Sequence, residues 1–356
     1  MTEPKNPALE KMLLDVPVRV DVVLGEARIP MEELLALSPG EIVALERHTN
    51  EPVDIYVSGR LVARGKLVVS DGQLGVTLSE IIDFTIDQAW ETYSAAEHDR
   101  WDRLFRRQKE ITKGRASQAA LDAMHQLELS PSGIPHMGRL SDKLEQITGW
   151  RVVPVAELVP DEVFFDHLAN RRFPAGAFIR PEEEFDYLQE PDIFHDIFGH
   201  VPMLANPVFA DFMEAYGKGG QRAMRLGQLH NLARLYWYTV EFGLIQEEDG
   251  LRIYGAGILS SPQETVFALE DASPNRVGFD LKRLMRTKYI IDDFQQTYFV
   301  IPSFEALLET CYKDFGDVYA EVKGLPDYEA HELAPGDDVI TRGTLEYFKA
   351  GGRKGR

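Results

Sequence analysis

The hydrophobic period of this sequence changes near residue 85, and no other feature constrains the fold as strongly. Before that point, apolar and polar residues alternate over residues 16–22 and again over 53–57, which is the period of half-buried β-strands. After it, apolar residues recur at three- and four-residue intervals, as in 101–111, which is typical of amphipathic helices. The change predicts two domains of different class, over residues 1–85 and 86–356.

The first 85 residues are expected to form a small all-β domain. Two further apolar runs occur at residues 61–69 and 74–78. The dipeptides Ser58-Gly59 and Asp71-Gly72 stand before these runs and favour tight turns, because glycine tolerates positive φ at no steric cost. One short helix is predicted over 31–37. Together these elements predict a meander of strands.

The remainder is expected to form one mainly helical domain with a little sheet. The pattern predicts helices over 98–129, 206–220, 221–248, 282–289 and 292–300, and strands over 150–155 and 252–257. From about Gly324 the chain is richer in proline, glycine and charge, and the last seven residues, 350–356, are expected to form a loosely ordered C-terminal tail.

Composition limits the partners that the chain can have. The formal net charge is −20, so phosphate backbones would repel the protein and a nucleic-acid partner is not expected. The single cysteine, Cys311, excludes an intrachain disulfide framework and fits a reducing compartment. We see no secretory signal and no apolar run of about 18 residues, so membrane insertion is not expected and a cytoplasmic location is.

A candidate metal site stands in the second domain. The run EPDIFHDIFGHVPM, residues 190–203, contains His195 and His200, and Glu241 follows about forty residues later. Two imidazoles and one carboxylate are the ligand set of non-haem Fe(II) oxygenases, although a zinc hydrolase could use the same three residue types. Residues five apart on an α-helix point about 140° apart. We therefore expect the helix to end near Gly199, so that His200 can turn inward.

The region from about 88 to 320 resembles the aromatic amino acid hydroxylases, and within that family the short bacterial phenylalanine 4-hydroxylases. The matching runs are long, and include LEQITGWRVVPV, FFDHLANRRFPAGAFIR, YLQEPDIFHDIFGHVPM, LYWYTVEFGL and IYGAGILSS. The resemblance implies the fold of that family and a monooxygenase that converts L-phenylalanine to L-tyrosine. It also implies Fe(II) and a tetrahydropterin as cofactors and O₂ as co-substrate. Tryptophan or tyrosine stays open as an alternative substrate.

The resemblance assigns roles to residues of this sequence. It implies that the metal ligands are His195, His200 and Glu241. The residues implied for the substrate are Arg180, Trp237, Phe242 and Ser260. Those implied for the pterin are Val159, Phe164, Glu264 and Asp196. Tyr236 is implied to lie near the iron-bound waters, and Asp192 to orient a histidine ligand.

The N-terminal segment resembles a different family. Residues 10–83 are similar to the C-terminal, SpoA-type domain of the flagellar motor switch protein FliN, which also occurs in type III secretion rings. The resemblance implies a small β domain that forms a homodimer or binds ring components. It leaves open a second function, as a motor switch or secretion ring component in which this domain dominates.

Overall fold

The computed structural model describes residues 20–38, 40–57, 60–70, 73–186 and 190–352. The chain separates into two compact units, Met1–Asp83 and Phe84–Arg356. The predicted start of the first strand at Val16 lies outside the described residues, as do the turns predicted at Ser58-Gly59 and Asp71-Gly72.

The described part of the first unit is a four-stranded antiparallel meander with one short helix. Its strands are β1 (Val20–Val23), β2 (Val53–Val57), β3 (Arg60–Ser70) and β4 (Gln73–Ile81), and they lie in the sheet in chain order. The helix α1 spans Met31–Ala36. Strands therefore occur where the apolar and polar residues alternate.

This sheet buries little of its own apolar surface. Val53, Ile55 and Ala63 are its buried hydrophobic residues among those that the structure describes. Other large apolar side chains of the unit are exposed to solvent, for example Ile42 at 92% and Val69 at 74%. A single soluble domain rarely leaves so much apolar surface uncovered.

The second unit is mainly helical. Its helices are α2 (Ala95–Thr112), α3 (Gln118–Gln126), α4 (Met137–Ile147), α5 (Asp161–Ala169), α6 (Pro207–Arg225), α7 (Leu229–Tyr236), α8 (Ala256–Ser260), α9 (Pro262–Glu270), α10 (Leu281–Met285), α11 (Phe304–Thr310), α12 (Phe315–Val322) and α13 (Glu346–Lys349). The helix predicted over 98–129 is therefore two helices, α2 and α3. Ser117 separates them and begins α3, because its side chain accepts a hydrogen bond from the Ala120 N–H.

Two small sheets complete the unit. One contains β5 (Arg151–Val155) and β6 (Arg172–Gly176), paired in parallel. The other has the order β11-β9-β10-β7-β8. Its strands are β7 (Leu244–Glu247), β8 (Gly250–Ile253), β9 (Asn275–Gly278), β10 (Thr297–Ile301) and β11 (Val339–Thr341).

Two predictions of helix were wrong in this region. The helix predicted over 221–248 ends before β7, and the one predicted over 292–300 is replaced by β10. Every residue of β10 is buried, because the strand lies between β7 and β9 in the middle of the sheet. Such a strand shows no alternation of apolar and polar residues, so periodicity does not distinguish it from a buried helix.

The proline- and glycine-rich stretch after Gly324 is attached to the second sheet, and of the predicted tail only residues 350–352 are described. β11 pairs antiparallel with β9, and the Gly343 N–H donates to Asn275 Oδ1 over 2.9 Å. These contacts tie the segment to the sheet although its composition is that of a loop. Residues 353–356 lie outside the described residues.

The hydrophobic core of the second unit lies around the segments that carry the candidate metal ligands. Phe194, Ile197 and Phe198 are among its fully buried residues. Within the described ranges, no helix combines the length and apolar character needed to cross a bilayer.

Candidate metal centre and substrate cavity

Two π-helical turns position the three candidate ligands. His195–His200 forms one turn, and Trp237–Glu241 forms the other at the end of α7. Hydrogen bonds in a π-helix run from residue i to i+5, so residues five apart lie on the same face. We expected the helix to end near Gly199, but it continues to His200 as a π-helical turn. This wider turn places the side chains of His195 and His200 on the same face.

The ligand atoms of the three residues form a compact triangle. His195 Nε2 lies 3.1 Å from His200 Nε2. Glu241 Oε1 lies 3.0 Å from His200 Nε2, and Glu241 Oε2 lies 3.6 Å from His195 Nε2. An ion with ligand bonds of about 2.1 Å at right angles needs ligand atoms about 3 Å apart. Two imidazole nitrogens and a carboxylate at these separations therefore fit one face of an octahedral divalent metal ion.

Burial and mutual charge set the protonation of the triangle. Burial lowers the pKa of His195 to about 4, which leaves its imidazole neutral at pH 7. Burial also opposes charge on His200, but the Glu241 carboxylate outweighs it and the pKa of His200 is raised. Burial would raise the pKa of Glu241, yet the two histidines lower it overall. The site thus holds an ionised carboxylate that requires a nearby cation.

Ser260 fixes the ring of His195. Its Oγ lies 2.9 Å from His195 Nδ1 and donates to the Ala256 carbonyl, also over 2.9 Å. With Ser260 Oγ accepting the proton of Nδ1, Nε2 is left free to bind a metal, which is the usual arrangement of metal-bound histidines. Ser260 also lines the cavity described below.

Asp192 contacts the backbone of His195 and not its ring. One carboxylate oxygen, Oδ1, accepts from the His195 N–H over 3.0 Å. Asp192 also accepts from Arg180 Nε over 2.8 Å and from Arg180 Nη2 over 2.7 Å. Burial would raise the pKa of Asp192, but the Arg180 guanidinium and the N–H donors lower it. Asp192, which the resemblance implies to orient a histidine ligand, thus connects Arg180 to the backbone at the start of the first π-turn.

A cavity of about 290 Å³ opens beside the triangle. Residues from four segments line it, and include Arg180, Pro191, His195, Trp237, Glu241, Phe242, Gly257, Ser260, Glu264, Ile291 and Asp293. The ring of Trp237 lies 5.0 Å from that of Phe242 and stacks on Tyr289 at 4.4 Å. The cavity therefore places one arginine, an aromatic wall and the candidate metal site around a single space.

The segment after Arg180 is held to α2 by charged and aromatic contacts. The guanidinium groups of Arg103 and Arg107 lie 4.8 and 4.5 Å from the centre of the Phe185 ring. Arg103 also pairs with Glu182 over 2.5 Å, and Arg107 with Asp186 over 2.5 Å. These contacts hold the rim of the cavity next to Arg180.

The residues implied for the pterin do not lie together. The Phe164 ring meets Tyr236 edge-on at 5.7 Å, and Tyr236 stacks on His200 at 6.1 Å. Val159 is half-buried and lies just before α5, which carries Phe164. Neither Val159 nor Phe164 lines the 290 Å³ cavity.

Asp196 lies close enough to Tyr236 and His200 to interact electrostatically with both, whereas Glu264 lies apart from this aromatic group. Asp196 accepts from the Gly176 N–H over 2.7 Å, and burial raises the pKa of its carboxyl to about 7. Glu264 lies on the cavity with Arg180, where it accepts from the Tyr298 hydroxyl over 2.7 Å. Glu264, which the resemblance implies for the pterin, therefore lies on the same cavity as Arg180.

Sequence reasoning missed Tyr289, Ile291 and Asp293. All three follow α10 in the run KYIIDDF, in which no spacing or motif marks a site. Only their tertiary position brings them to the cavity or its aromatic wall.

A larger and more open groove, of about 720 Å³, lies at the ends of β9 and β10. Its buried arginine, Arg283, pairs with Asp337 over 2.9 Å and lies 4.1 Å from the centre of the Tyr328 ring. Because Arg283 is already paired within the groove and the candidate ligands lie elsewhere, we place the chemistry in the smaller cavity.

Comparison with known proteins gives a family match for each unit. Residues 87–319 match the family model described as biopterin-dependent aromatic amino acid hydroxylase. Residues 11–83 match the model described as type III flagellar switch regulator (C-ring) FliN C-term.

The relatives found are similar to the second unit. A phenylalanine-4-hydroxylase from Caulobacter vibrioides is 61% identical over 271 residues, which are 76% of this chain and 92% of that protein. The iron- and phenylalanine-bound crystal structure of phenylalanine hydroxylase from Chromobacterium violaceum is 51% identical, with a TM-score of 0.70 over 72% of this chain and 94% of that one. The same enzyme with iron(III) and 7,8-dihydrobiopterin is 53% identical, with a TM-score of 0.70 over 72% of this chain and 93% of that one.

Proposed function

Because the chain belongs to the biopterin-dependent aromatic amino acid hydroxylases, we propose that it is a phenylalanine 4-monooxygenase. It converts L-phenylalanine to L-tyrosine with O₂, and uses Fe(II) and a tetrahydropterin as cofactors. The observation that carries this function is the triangle of His195, His200 and Glu241 beside a cavity that contains one arginine and an aromatic wall. The family match favours this function over a zinc hydrolase or a ring component.

The three residues of the triangle are the proposed iron ligands. Support comes from the separations of their ligand atoms, which suit one octahedral face, and from the neutral state of His195. A metal ion would also replace the proton that His200 and Glu241 otherwise share. When bound, the iron and the reduced pterin would activate O₂, which supplies the oxygen atom that enters the ring.

Arg180 is the proposed partner of the substrate's carboxylate. Asp192 occupies its Nε and Nη2, and Nη1 makes no hydrogen bond to a described residue. A guanidinium whose other edge is already held by a carboxylate is pre-organised, so little side-chain freedom is lost when the amino acid binds.

The aromatic wall is proposed to hold the substrate's ring. Trp237 and Phe242 line the cavity, and the Tyr289 ring stacks on Trp237 without lining the cavity itself. With the carboxylate held at Arg180 and the ring at this wall, one edge of the ring would face the metal. Such fixed orientation and the exclusion of water are the protein's own contributions to the rate.

We propose that the pterin binds on the side of His200 that carries Tyr236 and Phe164. The stacked and edge-on rings there offer a flat aromatic surface apart from the substrate cavity. Val159 and Asp196 are proposed to contact the pterin at the borders of this surface. Glu264 is proposed to contact the pterin from the cavity that it shares with Arg180.

The test is pterin-dependent formation of tyrosine by the purified protein supplied with Fe(II) and phenylalanine. His195→Ala is expected to abolish activity and iron binding, whereas His125→Ala, a change at an exposed histidine, is the matched control. Turnover of phenylalanine, tryptophan and tyrosine in parallel tests the substrate. Absence of tyrosine from the wild-type reaction, or equal rates for wild type and His195→Ala, would contradict the proposal.

For the first unit we propose a FliN-type domain, spanning residues 1–85, that pairs with a second copy of itself. The family match and the exposed apolar residues of the sheet support this pairing. Burying large apolar side chains contributes roughly 1.5–3 kcal/mol each, which favours a homodimer over a free sheet. Sedimentation analysis of the full chain tests this pairing, and a wild-type monomer would favour binding of flagellar or secretion ring components instead.

We also propose a cytoplasmic location. The chain has one cysteine and no disulfide partner for it, which fits a reducing compartment.

A further inference from the structure

The C-terminal segment 343–352 runs along the loop that follows α9. The Leu345 N–H donates to the Ser273 carbonyl over 3.0 Å, and the Tyr347 N–H donates to Ser273 Oγ over 3.0 Å. Both hydrogen bonds fix the backbone around Tyr347. This side chain is therefore held in place from the α9 side.

Tyr347 contacts two separate walls of the substrate cavity. Its hydroxyl donates to Asp293 Oδ1 over 2.7 Å, and its ring lies 5.3 Å from that of Phe294. The same ring meets Phe267, on α9, edge-on at 5.2 Å. Phe267 and Phe294 are themselves stacked at 4.7 Å. One half-buried tyrosine thus joins α9 to the segment that contains Asp293.

Both of these elements line the cavity. Ile291 and Asp293 contribute from the segment after α10, and Pro262 and Glu264 from α9. The two walls are also joined by the Gln295 N–H, which donates to Glu264 Oε1 over 3.2 Å.

The end of the C-terminal segment, at Gly352, also packs closely against Asp293. At Gly352 a Cβ atom would lie 2.0 Å from Asp293 Oδ2, so no larger residue fits there without displacing the carboxylate. The C-terminal segment therefore donates a hydrogen bond to Asp293 from Tyr347 and approaches it closely at Gly352, and Asp293 Oδ1 also accepts from the Phe294 N–H over 2.8 Å.

We propose that Tyr347 is a positioning residue for substrate binding, which acts by holding Asp293 and its segment against α9. The inference rests on the function proposed above, since it takes the cavity to be that of the amino acid substrate. Tyr347 does not line the cavity itself and does not take part in the chemistry. Tyr347 contributes to the shape of the cavity wall formed by Asp293 and α9, and therefore to the affinity for phenylalanine.

The test compares Tyr347→Phe with wild type in the full chain loaded with Fe(II). The variant keeps the ring contacts and loses one hydrogen bond, so KM for phenylalanine is expected to rise roughly 3- to 10-fold with kcat within about twofold. Calorimetric titration of phenylalanine into the iron-loaded protein, without pterin or O₂, should show the same loss of affinity. Tyr312→Phe, which alters a tyrosine that is 76% exposed, is the matched control and should change neither value.

The same substitution made in an Asp293→Ala variant distinguishes positioning of the substrate site from general destabilisation of the fold. If Tyr347 acts through Asp293, the effect of Tyr347→Phe on KM should disappear in Asp293→Ala protein. An unchanged KM and Kd for Tyr347→Phe would overturn the inference, as would a fall in kcat and melting temperature with KM unchanged. Wild-type protein that neither binds phenylalanine nor makes tyrosine would instead contradict the function itself.

Discussion

At the scale of single residues, the site depends on buried polar side chains that touch no reacting atom. Ser260 sets the tautomer of His195, and Asp192 joins Arg180 to the backbone of the first π-turn. Both residues are almost completely buried, so each must be hydrogen-bonded in the folded state. Their sequence context predicts their presence near the site, but only the folded structure shows which atoms they contact.

Replacement of Asp192 is expected to destabilise the fold strongly. Asp192→Asn places an amide N–H₂ among N–H donors and leaves the Arg180 charge buried without a partner, which costs about 3–5 kcal/mol. Because the pKa of Asp192 is lowered from 3.8, its contribution is present above that pH and is lost as the pH falls through the lowered value. Urea unfolding at pH 7 measures the effect.

The control for Asp192 is Asp99→Asn. Asp99 pairs with Arg103 on the surface and its side chain is 64% exposed, so a change below about 1 kcal/mol is expected. Equal unfolding free energies for wild type and Asp192→Asn would show that the buried pair does not support the fold.

Cys311 is expected to be unreactive in the folded protein. Burial raises the pKa of its thiol to about 12, so little thiolate is present at pH 8. Iodoacetamide should therefore label the folded chain at least roughly a hundredfold more slowly than the urea-unfolded chain. Labelling at equal rates in the two states would show that the thiol is accessible and ionises normally.

At the scale of elements, the two π-turns explain both what the sequence predicted and what it did not. Residue types and spacing were sufficient to predict His195, His200 and Glu241 as a group. The local geometry was not predictable, because no residue pattern distinguishes a π-turn from an interrupted α-helix. β10 was missed for a related reason, since a strand buried on both faces has no period of its own.

A larger residue at Gly199 is expected to disturb the metal site. A Cβ atom there would lie 2.8 Å from the Ala256 carbonyl oxygen and 3.0 Å from its Cβ, so α8 and its Ser260 would have to move. Gly199→Ala should cost about 1–3 kcal/mol and weaken iron binding roughly tenfold or more. Iron content and melting temperature are the measurements.

Gly219→Ala is the matched control for this change. Gly219 lies in α6 with no other atom within 4 Å of the added Cβ, so the substitution should leave iron binding intact and raise helix stability by up to about 1 kcal/mol. If both variants retained iron equally, close packing of α8 on the π-turn would not matter for the site.

At the scale of the whole molecule, the two units differ in how they bury apolar surface. The second has a continuous core, whereas the described part of the first leaves most of its large apolar residues exposed. The change of period near residue 85 predicted two units, and alternation predicted the strands of the first. Alternation alone could not show how little of that sheet is covered within one chain.

Disruption of the exposed sheet is expected to separate the proposed dimer without affecting catalysis. Val69 pairs with Leu74 across β3 and β4, and the two are 74% and 69% exposed. The double variant Val69→Asp, Leu74→Asp should convert a dimer to a monomer in sedimentation analysis, because apolar contact would be replaced by buried charge. Tyrosine formation per chain should stay within about twofold of wild type. A wild-type monomer, or a dimer that survives the change, would argue against pairing through this surface.

The candidate ligands also have a consequence for stability that is independent of catalysis. His200 and Glu241 lie about forty residues apart, with α6 and α7 between them, and the chain's single cysteine provides no intrachain disulfide. A metal ion bound to both residues is therefore a cross-link, and it favours the folded state by mass action. At a free concentration one hundred times its dissociation constant, such an ion adds about 2.7 kcal/mol. Chelation should lower the melting temperature by several degrees and added Fe(II) should restore it, so that the supply of iron would govern how long the enzyme persists as well as how fast it works.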